Sequence, residues 1–116
     1  MKSIIVSMAA AVGLMIADSA LADAMPAEVK DLNCLACHAV DHKVIGPAWR
    51  DVGKKYKDAQ NFEYNGKKYP LEEGLVMKVS KGGFGHWGTF PMPANDPIGN
   101  KQDKIKKMVK FVLSLG

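Results

Sequence analysis

Beyond residue 22 the sequence has no long hydrophobic run, and nowhere does it carry an internal repeat or a low-complexity stretch. It also lacks any strand–helix–strand rhythm, which removes the parallel-sheet folds. Hydrophobic residues make up 47% and charged residues 24%, a balance that excludes a disordered, collagen-like or polytopic membrane chain. Cysteine is scarce: there are two in 116 residues, Cys34 and Cys37. Pairing them would close a very short loop with little entropy to gain, so a disulfide staple is a poor use for them.

The amino terminus reads differently. Lys2 precedes a charge-free apolar run from Ile4 to Ile16, and Ala20-Leu21-Ala22 supplies small residues spaced for a signal-peptidase cut. The run is too short to be a comfortable membrane span. Residues 1–22 are therefore expected to be a cleaved signal peptide, and residues 23–116 a single domain. The cut site carries no cysteine, which argues against a lipid-attached form. Removal takes away one base, Lys2, and one acid, Asp18, so the net charge stays at +4. A domain of this size buries only about 60–70% of the surface its unfolded chain exposes. It needs a staple or a bound cofactor to complete its core.

Cys34-Leu35-Ala36-Cys37-His38 supplies one. A thioredoxin-like redox pair requires a strand–helix setting that the flanks lack. A zinc site built from Cys34, Cys37, His38 and His42 would crowd four ligands into nine residues, where zinc motifs separate their ligand pairs widely. Cys-x-x-Cys-His is instead the signature of covalent haem c attachment. Two thiols add across the porphyrin vinyl groups, and the next residue sets an imidazole beneath the iron. Cys34 and Cys37 are thus the expected thioether residues and His38 the proximal iron ligand.

The sixth iron position decides what such a protein does. Met25, Met77, Met92, Met108, His42 and His86 are the candidates beyond the signal. Met77 and Met108 sit among apolar residues at helical spacing, where methionine is core filler. Met25 is near the new terminus, and His42 lies in a charged loop close to His38. Met92 is enclosed by Pro91 and Pro93, which hold it on a stiff non-helical segment. It is the expected axial ligand, with His86 as the alternative imidazole. Helices are predicted from Pro26 toward Leu32, from Ala48 to Tyr56, from Leu71 to Ser80, and around Ile105, Met108, Val109 and Val112. Lys101, Lys104, Lys106, Lys107 and Lys110 are expected on the wet side of the last helix. Asn65-Gly66 between short aromatic arms predicts a small hairpin at residues 62–69.

The order Cys-x-x-Cys-His, then Ile45-Gly46-Pro47-Ala48, then Trp87 and Pro91-Met92-Pro93-Ala94-Asn95, then a carboxy-terminal helix resembles the class I cytochromes c. More narrowly it is similar to the short periplasmic cytochromes of bacterial respiratory chains, over almost the whole mature sequence. The resemblance implies an all-α fold of about four short helices wrapped around one covalently bound haem. It implies that Pro47 offers its carbonyl to His38, that Trp87 hydrogen-bonds a haem propionate and that the Asn95 amide contacts the Met92 sulfur. Phe111 would pack the last helix on the first. The sequence departs from the family in its longer, aromatic hairpin and in the glycine-rich segment from Gly82 to Gly88.

The functional expectation is a soluble, monomeric, periplasmic electron shuttle and not an enzyme. It would accept electrons from a quinol-oxidising complex and pass them to a terminal reductase or oxidase. Two rivals are a haem protein with a labile Met92 acting as a peroxidase or gas sensor, and a haem subunit held permanently in a larger oxidoreductase. Export and the absence of a nucleic-acid motif set aside nucleic acid as the reason for a pI near 9.1. Lys54, Lys55 and Lys57 are expected near the haem edge, where they would steer an acidic partner.

Overall fold

A computed structural model describes residues 25–116; the signal read over residues 1–22 lies outside the described residues. In chain order the described elements are α1 (Glu28–Asp31), a 3₁₀ turn (Cys34–Ala36), α2 (Trp49–Lys55), β1 (Asn61–Tyr64), β2 (Lys67–Pro70), α3 (Leu71–Lys81) and α4 (Gln102–Ser114). Pro26 stands just before α1 and its carbonyl accepts the Val29 N–H at 3.2 Å. That first helix is only one turn long, yet it buries Val29 and, at its end, Leu32.

The last helix organises the interior. Ile105, Met108 and Val109 recur at helical spacing on one face, and all three are buried, Ile105 completely. Leu75 and Val76 of α3 pack on that face, as do Val29 and Leu32. Phe111 meets the Trp49 ring of α2 edge-on at 6.2 Å, so its aromatic partner lies on the second helix. The lysines of α4 are not all idle solvent groups. Lys104 pairs with Asp31 and Lys107 with Glu28, each at 3.0 Å, clasping α1 onto α4. Such exposed pairs are worth little individually; the burial beneath them holds the helices together.

The hairpin runs one residue further at each end than the aromatic pattern indicates, pairing Asn61 with Pro70 and Tyr64 with Lys67. Asn65 and Gly66 both take positive φ, 51° and 79°, as a two-residue turn of this hand requires. Strand alternation then points Phe62 and Tyr64 inward and Glu63 outward. Both aromatics join the main core, with Phe62 against Tyr56 at 5.5 Å.

Asp96 stitches α3 to α4. Its buried carboxylate accepts the Asn100 and Lys101 N–H groups at 2.9 Å and the Gln102 amide at 2.8 Å. The same Gln102 amide reaches the Ser80 hydroxyl of α3 at 2.8 Å. Burial alone would push the Asp96 carboxyl up. The Gln102 amide and the N–H groups of Lys101, Asn100 and Gly99 outweigh it and hold its pKa below the ordinary carboxylate value. A depressed folded pKa gives stability that is present above the unfolded value and lost as pH falls through the folded one. Urea midpoints measured across a pH series should therefore fall below about pH 4. Asp96→Asn should lower the midpoint at neutral pH and make that acid limb shallower.

Candidate haem-binding site

Asn33 closes the first helical segment in the left-handed region, at φ 56°, and turns the chain into the 3₁₀ turn. The Cys34 carbonyl then accepts the N–H groups of Cys37, at 3.1 Å, and His38, at 3.0 Å. This tight winding puts both thiols and the imidazole along the wall of one apolar cavity of about 520 Å³. The cysteines are free and half-buried. Burial pushes the Cys34 thiol up, outweighing a backbone hydrogen bond that lowers it.

The His38 ring is fixed from three sides. Its Nδ1–H donates to the Pro47 carbonyl at 2.8 Å, leaving Nε2 as the nitrogen with a free lone pair. Trp49 stacks against it at 5.7 Å. Gly46 lies flat over the ring, where a Cβ would stand only 2.6 Å from Cε1. The loop that delivers Gly46 and Pro47 is anchored on the Cys37 carbonyl, which accepts the N–H groups of Ile45 and Gly46.

Met92 lines the same cavity from the later half of the chain. Its backbone forms a two-way bridge with Gly83, N–H to carbonyl at 2.8 Å and carbonyl to N–H at 3.0 Å. Gly82 makes this approach possible, because a side chain there would overlap the Met92 carbonyl. The Asn95 amide donates to the carbonyls of Val79 and Pro93, both at 3.2 Å, and so steadies the backbone that follows Met92. Among the other candidates, Met108 and His86 also reach the cavity, while Met77 borders a separate surface groove. The ring of His86 is already engaged: Nε2–H donates to the Glu63 carbonyl at 2.7 Å, and the ring stacks on Phe62 at 4.4 Å. Its Nδ1 is buried without a partner. His42 is exposed on the loop between His38 and Gly46.

Trp87 stands in the cavity wall, with the Lys55 ammonium 4.4 Å over its ring. Lys54 and Lys57 are exposed and do not line the cavity. A group that sequence reasoning missed is Lys78, on α3 and 9% exposed, whose side chain reaches the cavity. Burial holds its ammonium below the ordinary lysine value. The available signal was a single charge within the apolar run Leu75-Val76-Met77-Lys78-Val79.

The cavity fits a covalently attached haem. Two free thiols stand beside a histidine with an open Nε2, a thioether shares the wall, and the lining is overwhelmingly apolar. Phe84 and Phe90, 70% and 68% exposed, belong to that wall and find no cover in the protein's own core. Large apolar side chains in such a position are the mark of a hydrophobic ligand site. Lys78 adds one cation, suited to the carboxylates that a haem carries.

Comparison with known proteins agrees. The family model for cytochrome c matches residues 25–116. Cytochrome c-551 of Allochromatium vinosum is 38% identical over 101 residues, covering 86% of this chain and 93% of its own. Cytochrome c-552 of Nitrosomonas europaea is 37% identical over 106 residues, covering 91% of this chain and 90% of its own. The crystal structure of the wild-type Nitrosomonas europaea cytochrome c552 superposes with a TM-score of 0.62 at 32% identity, over 77% of this chain and 96% of that one. The chain belongs to the cytochrome c family, as a class I bacterial monohaem member, and carries one covalently bound haem c with its iron.

Proposed function

We propose that this cytochrome is a soluble, monomeric periplasmic electron carrier, exported by a signal over residues 1–22 that is cleaved to leave residues 23–116. In this reading Cys34 and Cys37 form the haem thioethers, and His38 and Met92 are the axial iron ligands. It takes single electrons from a quinol-oxidising complex and delivers them to a terminal reductase or oxidase. The observation that carries the proposal is that all four side chains line one apolar cavity, with the His38 ring already turned by Pro47.

When bound, the haem iron supplies a one-electron couple between its ferric and ferrous states. The work of the chain is to keep that change cheap. Cys34 and Cys37 fix the group at two points on one short turn. The Pro47 carbonyl sets the His38 tautomer and ring plane and raises the basicity of Nε2. Met92, on a segment bridged to Gly83, brings a thioether, which favours the ferrous state relative to a second imidazole. With His38 and Met92 both holding the iron, the chain would leave no place there for a substrate. A sixth position given to Met92 is what separates this reading from the peroxidase or sensor alternative. The apolar walls exclude water, so little solvent reorganises as charge changes.

Leu35, Val44 and Ile45 are about half exposed on the early part of the chain, and Lys43 borders the cavity beside Ile45. With the overall charge of +4, this gives an acidic partner an apolar patch to cover and positive charge to approach.

Two experiments test the ligand set. The dithionite-reduced holoprotein should show no change on adding CO, whereas Met92→Ala should bind CO promptly and have a lower reduction potential. An unchanged spectrum and potential in Met92→Ala would remove Met92 from the iron. Gly46→Ala should displace the His38 ring, because the added methyl lands on Cε1. We expect a loss of about 1–3 kcal/mol in holoprotein stability by denaturant titration, with an altered Soret spectrum.

A further inference from the structure

The hairpin Asn61–Pro70 and the glycine-rich segment from Gly82 to Gly88 contribute none of the four proposed haem-binding side chains. They meet in the fold. Four glycines of that segment adopt positive φ: Gly82 at 75°, Gly83 at 119°, Gly85 at 105° and Gly88 at 99°. Glycine gives up more conformational freedom on ordering than any other residue, so a segment built this way is soft unless something outside it holds it. Its internal support is slight, amounting to a Gly85 N–H to Gly88 carbonyl bond at 3.0 Å and the Gly83–Met92 bridge.

The hairpin supplies the rest. At the start of the segment the buried Tyr64 hydroxyl donates to the Gly82 carbonyl at 2.8 Å. Near its end His86 Nε2–H donates to the Glu63 carbonyl at 2.7 Å, with the imidazole stacked on Phe62. Lys55 of α2 adds a third tie, its ammonium reaching the His86 carbonyl at 2.8 Å. Tyr64 and Phe62 are themselves buried in the main core, so these ties run from the glycine-rich segment to the packed interior. Gly82 also carries the close approach to Met92, which makes the Tyr64 bond one residue removed from the backbone bridge of the thioether.

We infer that the hairpin is the brace of the distal ligand, with Tyr64 and His86 as positioning residues that hold the Gly82–Met92 segment in place. The inference rests on the reading of Met92 as the axial ligand. Its consequence lies in ligand exchange: a foreign ligand reaches the iron only when Met92 leaves, and Met92 leaves only as far as its segment can move. Cutting a tie makes that departure easier without touching the haem or its ligands.

Imidazole, titrated into the ferric holoprotein at constant pH, is the probe. Tyr64→Phe keeps the buried ring and removes the hydroxyl; His86→Phe keeps the stack and removes the donor. Each should raise the apparent imidazole affinity about fivefold, equivalent to about 1 kcal/mol. The near-infrared thioether-to-iron band should persist before imidazole is added. Lys68→Ala, an exposed hairpin change, should leave the affinity at the parent value. Parent-like affinity in both Phe variants overturns the brace, and a lowered urea midpoint with parent-like affinity does so equally, because it shows a merely structural role. If the parent binds imidazole as readily as Met92→Ala does, the ligand reading itself falls and the brace falls with it. Parent resistance to imidazole with parent-like Phe variants leaves the ligand reading standing alone.

Discussion

The hydrogen bond from His38 to the Pro47 carbonyl ties together the parts of the chain that must be correct before a haem can sit in them. For that carbonyl to arrive, the loop from Ala39 to Gly46 must fold back onto Cys37, which it does through the N–H groups of Ile45 and Gly46. For the ring to donate to it, residue 46 must have no side chain, and Trp49 stacks against the imidazole. Trp49 in turn begins α2 and meets Phe111 on α4. One imidazole plane therefore depends on contacts that reach the carboxy-terminal helix.

A second constraint is size. A domain of this length cannot cover all its large apolar side chains, and the uncovered ones are not scattered at random. Phe84, Trp87 and Phe90 gather on the cavity wall, while the buried Met108 and Val109 line it from α4. The core thus has a protein half and a half left to the cofactor. A covalent cofactor suits that division, because covalent attachment spares the apolar walls from having to supply all of the holding energy.

The grouping of Cys34, Cys37, His38 and Pro47 at one cavity was legible in the sequence because it is local. Five consecutive residues specify the thiols and the imidazole, and Gly46-Pro47 follows within a single loop. The helices were legible from apolar spacing, and the hairpin from Asn65-Gly66, with ends that differ from the structure by a residue or two. The distal side is another matter. Tyr64 finding the Gly82 carbonyl, and His86 finding that of Glu63, are contacts across 18 and 23 residues with no local signature. Lys78 was hidden for a similar reason: spacing puts it on a helix, and only packing turns it inward. The lysines of α4 could not be divided by pattern into free ones and the two that clasp α1, because the partners Glu28 and Asp31 lie at the other end of the chain.

This asymmetry between the two faces has a physical sense. In the proposed ligand set His38 follows the two cysteines directly, and the contacts that orient its ring come from Gly46, Pro47 and Trp49, all within eleven residues of it. A methionine held by backbone bridges and long-range ties has a position set by folding free energy, in increments of about 1 kcal/mol per hydrogen bond. The potential of a haem responds to its axial ligand and to the polarity around it. In the proposed ligand set one ligand is oriented by contacts close in sequence and the other by contacts across 18 and 23 residues, so the second can be altered through residues outside the Cys34–His38 motif. In this chain the residues that would make such changes on the inferred brace are Phe62 and Tyr64 of the hairpin, His86 of the loop and the buried Lys78, none of which belongs to the Cys34–His38 motif.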